Sequence, residues 1–165
     1  MFIKNLIISF IVLIIGWLLL NYNSLDIENV VLGIFVSLII AFVFCNKCNI
    51  FNDLKLTPKA FFFSIIYVFV FIAELIKSNF DVARRVLTPS LPINPGIVEV
   101  KTKLKSKIGR IILANSITLT PGTLTIEMIE DRLFIHWIDV ESADINEATK
   151  QIVQKFEKYL EVIYG

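Results

Sequence analysis

Three long apolar runs in the first half of the chain constrain its fold more than any other feature. They cover residues 6–20, 29–45 and 60–76. Before residue 58 the charged side chains are Lys4, Asp26, Glu28, Lys47, Asp53 and Lys55. As helices, the first two runs would be about 23 and 25 Å long, somewhat short of a ~30 Å hydrocarbon core. With 56% apolar residues and a mean hydropathy of +0.74, against about 45–50% apolar residues in soluble domains, the sequence predicts a membrane protein.

The first two runs are predicted to form a short helical hairpin. Residues 21–28 form a polar link so short that the second helix must run antiparallel to the first. No small-x-small cleavage site follows residue 20, so we expect a retained anchor rather than a signal peptide. Pro58 suits the first turn of a third helix. That helix is expected to continue past its apolar run and to end before Pro89, giving a membrane region over residues 1–87.

The apolar stripe of the third helix continues beyond residue 76, with Ile76, Phe80, Ala83 and Leu87 at helical spacing. We therefore expect an amphipathic extension that leaves the bilayer.

The orientation in the membrane leaves two arrangements open. Lysine and arginine mark the cytoplasmic side, but the basic groups around residues 4, 47–59 and 77–85 cannot all lie there if three helices cross. Our first expectation is three crossings with the C-terminal domain in the cytoplasm. In the alternative, the first two helices cross and the third lies along the interface. Labelling a cysteine at Lys55 only from outside would support three crossings.

Residues 88–95 carry three prolines and predict a stiff linker. Residues 96–165 then predict a small cytoplasmic α+β domain of order β-α-β-β-α, with helices on one face of three strands. The first strand alternates, with Val98, Val100, Thr102 and Leu104 facing inward. A short helix is expected over residues 105–114, burying Ile108, Ile111 and Ile112.

The second half of this domain is predicted to be a hairpin and a helix. Leu124, Ile126 and Met128 are expected on one face of the second strand, and Leu133, Ile135 and Trp137 on the inward face of the third. Asp144 and Glu147 form a capping box that opens the last helix.

A polar motif lies between the short helix and the hairpin. Thr120-Pro121-Gly122-Thr123 predicts a type II turn, because proline presets φ at the second position and glycine accepts a positive φ at the third. Hydroxyls at Ser116, Thr118, Thr120 and Thr123 precede, open or close the turn. They could offer oxygen ligands to Na⁺, but no carboxylate accompanies them in sequence. The favoured interpretation is that they satisfy backbone groups at a structural joint.

The chain resembles the E subunits of the Mrp/Mnh-type multisubunit Na⁺/H⁺ antiporters. The resemblance is carried by Asn94-Pro95-Gly96, by Asn115-Ser116-Ile117-Thr118-Leu119-Thr120-Pro121-Gly122-Thr123, and by residues 133–139 with His136 among them. It implies an accessory subunit, needed for assembly or activity, of a bacterial cell-membrane complex that exchanges Na⁺ for H⁺. The implied partners are the other subunits, including large ones resembling those of respiratory complex I. The resemblance supplies no catalytic residue for this subunit.

Glu74 is the most notable ionisable residue, because a carboxylate inside an apolar helix is costly and a functional candidate by default. One hypothesis gives it a part in the ion pathway, and Glu74→Gln should then lower exchange in an assembled complex. The other, which we favour, gives it a structural or interfacial role, with Lys77 three residues on as a partner.

The remaining residues give no indication of an enzyme, cofactor or metal site. Cys45 and Cys48 form a CxxC with no second pair to complete a zinc site. His136 is the single histidine and is expected to face outward as a hydrogen-bonded surface or interface residue, with pH sensing as the alternative. The net charge of +1 gives no reason to expect binding to nucleic acid. The alternative function is a self-contained membrane-anchored binding or scaffold module.

Overall fold

The computed structural model describes residues 2–24, 26–45, 53, 55, 57–142 and 144–165. By its internal contacts the chain divides into two units, Met1–Leu54 and Lys55–Gly165.

The first unit is the predicted helical hairpin. Helix α1 covers Phe2–Leu20 and helix α2 covers Ile27–Cys45. The indole Nε1 of Trp17 donates to the Asn29 carbonyl at 3.1 Å. Gly33 allows this close approach, because a Cβ there would collide with the Trp17 ring.

The third helix, α3, covers Pro58–Leu87 without a break. Thr57 caps its first turn by accepting from the Ala60 amide at 3.1 Å, and Pro58 occupies the first helical position, where it loses no hydrogen bond. Within the described residues, α1, residues 27–44 of α2, and α3 are each long and apolar enough to cross a membrane.

A three-stranded antiparallel sheet and three helices complete the second unit. The elements are β1 (Gly96–Lys101), α4 (Lys107–Leu119), β2 (Thr123–Ile129), β3 (Arg132–Trp137), α5 (Ile145–Ile152) and α6 (Gln154–Tyr164). The strands lie in the order β1-β3-β2. The predicted β-α-β-β-α order is confirmed, with the last helix divided at Val153. Asp144 caps α5 by accepting from the amides of Asn146 and Glu147.

Helix α4 is longer than predicted, and this corrects the interpretation of the motif. The prediction ended it at residue 114, whereas the structure continues it to Leu119. The hydroxyl of Ser116 donates to the Ile112 carbonyl at 2.7 Å and that of Thr120 donates to the Ser116 carbonyl at 2.7 Å. Such bonds to the preceding turn let hydroxyl residues remain helical. Leu113 and Ile117 are the buried positions, and Ile111, predicted to be buried, is 39% exposed.

Strand β2 also differs from its prediction, because its register shifts between Thr125 and Glu127. The bulge places Met128 opposite Leu133 on the core side. Leu124 and Ile126 instead remain exposed, so the three apolar residues do not share one face. A single extra residue reverses the alternation of a strand.

The core lies on one face of the sheet, beneath the helices. The inward residues Val98, Val100, Leu133 and Ile135 are buried, and Thr102 and Leu104 continue this face past the end of β1. Trp137 is only half-buried. From the helices, the large buried side chains are Leu113, Ile117, Ile152, Val153, Phe156, Leu160 and Ile163.

Candidate functional site: the cleft between α3 and the motif turn

Helix α3 contacts the small domain along most of its length. Its partly or fully covered side chains recur at helical spacing, at positions 60, 63, 64, 66, 67, 70, 71, 74, 75, 78, 82 and 85. The Phe63 and Tyr159 rings lie 6.4 Å apart, as do the Phe71 and Phe156 rings. The hydroxyls of Tyr67 and Ser116 share a hydrogen bond. The helix is therefore an integral wall of this unit.

Glu74 forms an ion pair across this contact. Its Oε2 accepts from Nζ of Lys155 on α6 at 3.0 Å. The two side chains are 24% and 31% exposed, respectively. The partner suggested by sequence was Lys77, and the structure instead selects a residue 81 positions away. Glu74 thus fastens α3 to α6.

Arg85 organises a second polar contact further along α3. Its Nε donates to Asp81 at 2.7 Å, and its Nη1 donates to Asp139 at 2.6 Å and to the Pro92 carbonyl at 2.8 Å. These bonds join the end of α3, the proline-rich linker and the segment after β3. Sequence reasoning missed Arg85 as a functional candidate, because Asp139 lies 54 residues away.

Both contacts line one cleft of about 280 Å³. Its wall includes the Thr120–Thr123 turn and the half-buried Trp137. Its charged lining residues are Glu74, Lys77, Asp81, Arg85, Asp139, Glu141 and Lys155. The mixture of signs, with its principal carboxylates already paired to arginine or lysine, suits a structural junction better than a cation-selective site.

The backbone of the Thr120–Thr123 turn has the positive φ that was predicted at Gly122. Gly122 has φ = +92°, and the Thr123 amide donates to the Thr120 carbonyl at 3.3 Å. A Cβ at position 122 would lie 3.0 Å from Ile138 Cγ2 and 3.7 Å from Val82 Cγ2. The turn therefore packs closely against both α3 and the segment after β3.

The motif hydroxyls are engaged within the protein. Ser116 and Thr120 bond to helix carbonyls as described above, and Thr123 Oγ1 donates to the Ile117 carbonyl at 2.7 Å. Thr118 Oγ1 accepts from the Thr125 amide at 3.1 Å. These bonds fix α4, the turn and β2 together. The contribution of the motif to the function of the protein stays a prediction.

Three motif residues, Asn115, Thr118 and His136, lie away from α3 and from the cleft. Asn115 is on the exposed side of α4. His136 pairs with Ile97 and Leu124 across the outer face of the sheet, opposite to the helices. The structure thus brings Ser116, Thr120, Pro121, Gly122 and Thr123 towards α3 but separates His136 from them.

The part of the chain that the structure describes contains no cluster of three or more histidine, cysteine, aspartate or glutamate side chains suited to a metal ion. The CxxC prediction lies largely outside the described residues, since Cys48 is not among them.

A buried carboxylate that the sequence analysis missed lies on α6. Glu157 is 5% exposed, and its Oε1 accepts from Thr102 Oγ1 at 2.5 Å and from the Lys103 amide at 2.7 Å. It holds the end of β1 against α6. In the sequence, Glu157 follows Phe156 and lies four residues after Val153, so it falls within the apolar pattern of the helix. That position is the signal that could have indicated its burial. At the end of α6, burial raises the pKa of the Tyr164 hydroxyl, with the Tyr67 hydroxyl adding to the effect.

The fold and the cleft indicate the class of protein. It is a membrane protein with apolar helices and a small α+β domain whose charged contacts are mostly internal. The chain belongs to the family described as MNHE, Na⁺/H⁺ ion antiporter subunit, whose model matches residues 10–163. The resemblance seen in the sequence is thereby confirmed, and the family is one of transporter components.

Individual relatives agree with this assignment. The E1 subunit of the Na⁺/H⁺ antiporter of Staphylococcus aureus (strains JH9 and Newman, for example) is 32% identical over 147 residues, covering 85% of this chain and 86% of the relative. A chain in the structure of the membrane-bound sulfane sulfur reductase, an archaeal respiratory membrane complex, is 44% identical with a TM-score of 0.85. That match covers 97% of this chain and 99% of the other. A chain of the Mrp complex from Dietzia sp. DQ12-45-1b matches at 23% identity and a TM-score of 0.43, covering 59% of this chain and 92% of its own.

Proposed function

We propose that this protein is an accessory subunit of a multisubunit Na⁺/H⁺ antiporter, in which exchange is driven by the proton motive force. The observation that carries the proposal is the family match over residues 10–163, which includes helices and domain alike. Its partners are the other antiporter subunits, including large ones that resemble membrane subunits of respiratory complex I. Na⁺ and H⁺ are transported by the complex, and this chain alone transports neither.

The internal contacts support a role in assembly rather than in chemistry. Glu74 is paired with Lys155, and Arg85 with Asp81 and Asp139. The hydroxyls of the motif are hydrogen-bonded to the chain itself. These groups form a rigid unit that can position neighbouring subunits, and the protein is not itself an enzyme.

A second candidate follows from the comparison with the archaeal complex. The 44% identity over 97% of this chain exceeds the 32% identity to the Staphylococcus aureus relatives. The same protein would then serve in a respiratory membrane complex that contains a sulfane sulfur reductase.

The deciding experiment is purification of the tagged chain from its own membranes in mild detergent, followed by mass spectrometry of what accompanies it. Large antiporter-type membrane subunits are expected. Redox subunits in stoichiometric amounts would select the respiratory complex. Recovery of the chain by itself from gently solubilised membranes would contradict both and favour a self-contained scaffold module. As a control, the purified chain in liposomes should show no Na⁺-dependent proton movement.

We further propose that the protein is a multi-pass protein of the cell membrane with its α+β domain in the cytoplasm. The long apolar helices support the membrane location, and the basic residues near the end of α3 support the cytoplasmic side.

A further inference from the structure

The packing of α3 bears on how often the chain crosses the membrane. The sequence assigns residues 60–76 to a third crossing, yet α6 runs beside this same segment. Phe63 contacts Tyr159, Phe71 contacts Phe156, and Glu74 pairs with Lys155. At the start of α3, the Lys55 amide donates to the Ile163 carbonyl at 3.1 Å. Helix α6 is therefore antiparallel to the predicted crossing and level with it.

Helix α6 cannot accompany α3 through hydrocarbon. Lys158 and Glu161 are exposed on its outer side, and the Lys158 ammonium lies 4.8 Å from the Tyr159 ring centre. A crossing by residues 60–76 would carry these charges, together with the β-sheet of the same unit, to the depth of the bilayer. Charged side chains and open sheet edges are both strongly disfavoured there.

The other side of α3 carries an apolar stripe that the described part of this unit leaves uncovered. Its members are Phe61, Ile65, Phe69, Ile72, Ile76, Phe80 and Leu87, and Phe61, Phe69 and Phe80 are 71%, 68% and 74% exposed. The stripe is about 39 Å long at the rise of an α-helix. Lys59, Lys77 and Arg84 are exposed beside it. A long helix with one exposed apolar face and basic residues at the start and in the last third of that face resembles helices that lie in the plane of a membrane surface.

The charge distribution of the sequence supports the same arrangement. If only α1 and α2 cross, Lys4 and every basic residue after position 45 lie on one side of the membrane. The link over residues 21–28 then lies on the other side, and it contains Asp26 and Glu28 but no lysine or arginine. This is the distribution that the positive-inside rule requires, and it removes the conflict that three crossings create.

We propose that α3 is a membrane-surface helix whose Phe61–Leu87 stripe rests on the lipids of the cytoplasmic leaflet. Its basic border meets anionic headgroups, and its opposite face carries the α+β domain. The chain then crosses the bilayer twice. The proposal rests on the proposed membrane location of the protein.

The test is a depth measurement in the assembled complex, in lipid nanodiscs. With Cys45 and Cys48 replaced by serine, single nitroxide labels are placed at Phe61, Phe69 and Ile76, and collision rates with oxygen and with a water-soluble nickel chelate are measured. Val12, 56% exposed in the middle of α1, is the reference for a deep position. Lys158 is the reference for water.

We expect the three stripe positions to lie at one shallow depth, about 5–10 Å into the headgroup–acyl boundary, and well above Val12. A profile in which Phe69 is as deep as Val12, with Phe61 and Ile76 shallower on either side, would overturn the proposal. Exclusion of both reagents along the stripe would also overturn it, since a partner protein would then cover this face.

A second, independent measurement labels exposed residues. It can be made even when the complex assembles poorly. Lys55→Cys and Lys77→Cys should react with a membrane-impermeant maleimide from the same, cytoplasmic side in oriented vesicles. Reaction from opposite sides would refute the surface helix. Co-purification of the labelled variants with the other subunits reports separately on the proposed function, so failure of either proposal is distinguishable.

Discussion

The Glu74–Lys155 pair allows the structural and ion-pathway hypotheses to be separated. If the pair fastens α3 to α6, then Glu74→Gln and Lys155→Met should weaken the same contact to similar degrees. Exposed ion pairs contribute about 0.2–1 kcal/mol, whereas removal of one partner from a buried pair costs about 3–5 kcal/mol. The side chains are 24% and 31% exposed. We therefore expect each single substitution to cost about 1–2 kcal/mol, between these limits.

The coupling between the two substitutions provides the sharper measurement. The double variant should lose about 1 kcal/mol less than the sum of the single losses, because the second substitution removes a charge whose partner is already gone. At about 4 °C per kcal/mol for a unit of this size, each single variant should lower the melting temperature by several degrees. The assay is thermal unfolding of the detergent-solubilised complex, with Lys77→Met as the matched control. Lys77 is exposed on the same helix, so its loss should leave the melting temperature nearly unchanged.

Ion exchange in everted membrane vesicles, normalised to assembled complex, completes the comparison. A structural pair predicts normal exchange per complex in both single variants. If Glu74→Gln abolishes exchange in a complex of normal stability while Lys155→Met does not, the ion-pathway hypothesis is correct and our structural reasoning is refuted. If the double variant loses the full sum of the two single losses of stability, the two side chains are not coupled, and the structural role of the Glu74–Lys155 pair is likewise refuted.

Three further predictions concern contacts inside the second unit. Gly122→Ala should destabilise it by about 1–3 kcal/mol, because an alanine at φ = +92° is strained. This should reduce complex assembly without shifting Na⁺ dependence, whereas Gly16→Ala, with open space around its new methyl group, should assemble normally. Glu157→Ala should cost about 2–3 kcal/mol through lost hydrogen bonds to a charged group. Glu157→Gln should lose only part of this stability in the same melting assay. Tyr67→Phe should cost only about 0.5–1.5 kcal/mol, since Ser116 keeps its bond to the helix; a larger loss on melting would contradict this.

The local elements of this protein follow directly from its sequence. The helical hairpin, the break before Pro89, the type II turn at Gly122 and the alternation of β1 are set by nearest neighbours along the chain. Proline, glycine, capping residues and apolar spacing act over one or two turns, so their effect can be read without tertiary information. The family resemblance likewise rests on a contiguous motif.

Other features depended on partners distant in the chain. Helix α4 outlasts its predicted end because Leu113 and Ile117 are buried against the domain core, and the bulge in β2 is set by pairing with β3. Lys155 is chosen over the nearby Lys77 because α6 packs along α3. Sequence spacing ranks neighbours within a helix but not across helices.

The third apolar run shows most clearly where the sequence stops determining the structure. Length and hydropathy make α3 a candidate for crossing a membrane, and they correctly predict a continuous helix. Those quantities average over all sides of a helix. Only the tertiary structure distinguishes the side that the charged domain covers from the side that stays apolar and exposed, because burial is a property of faces and not of segments.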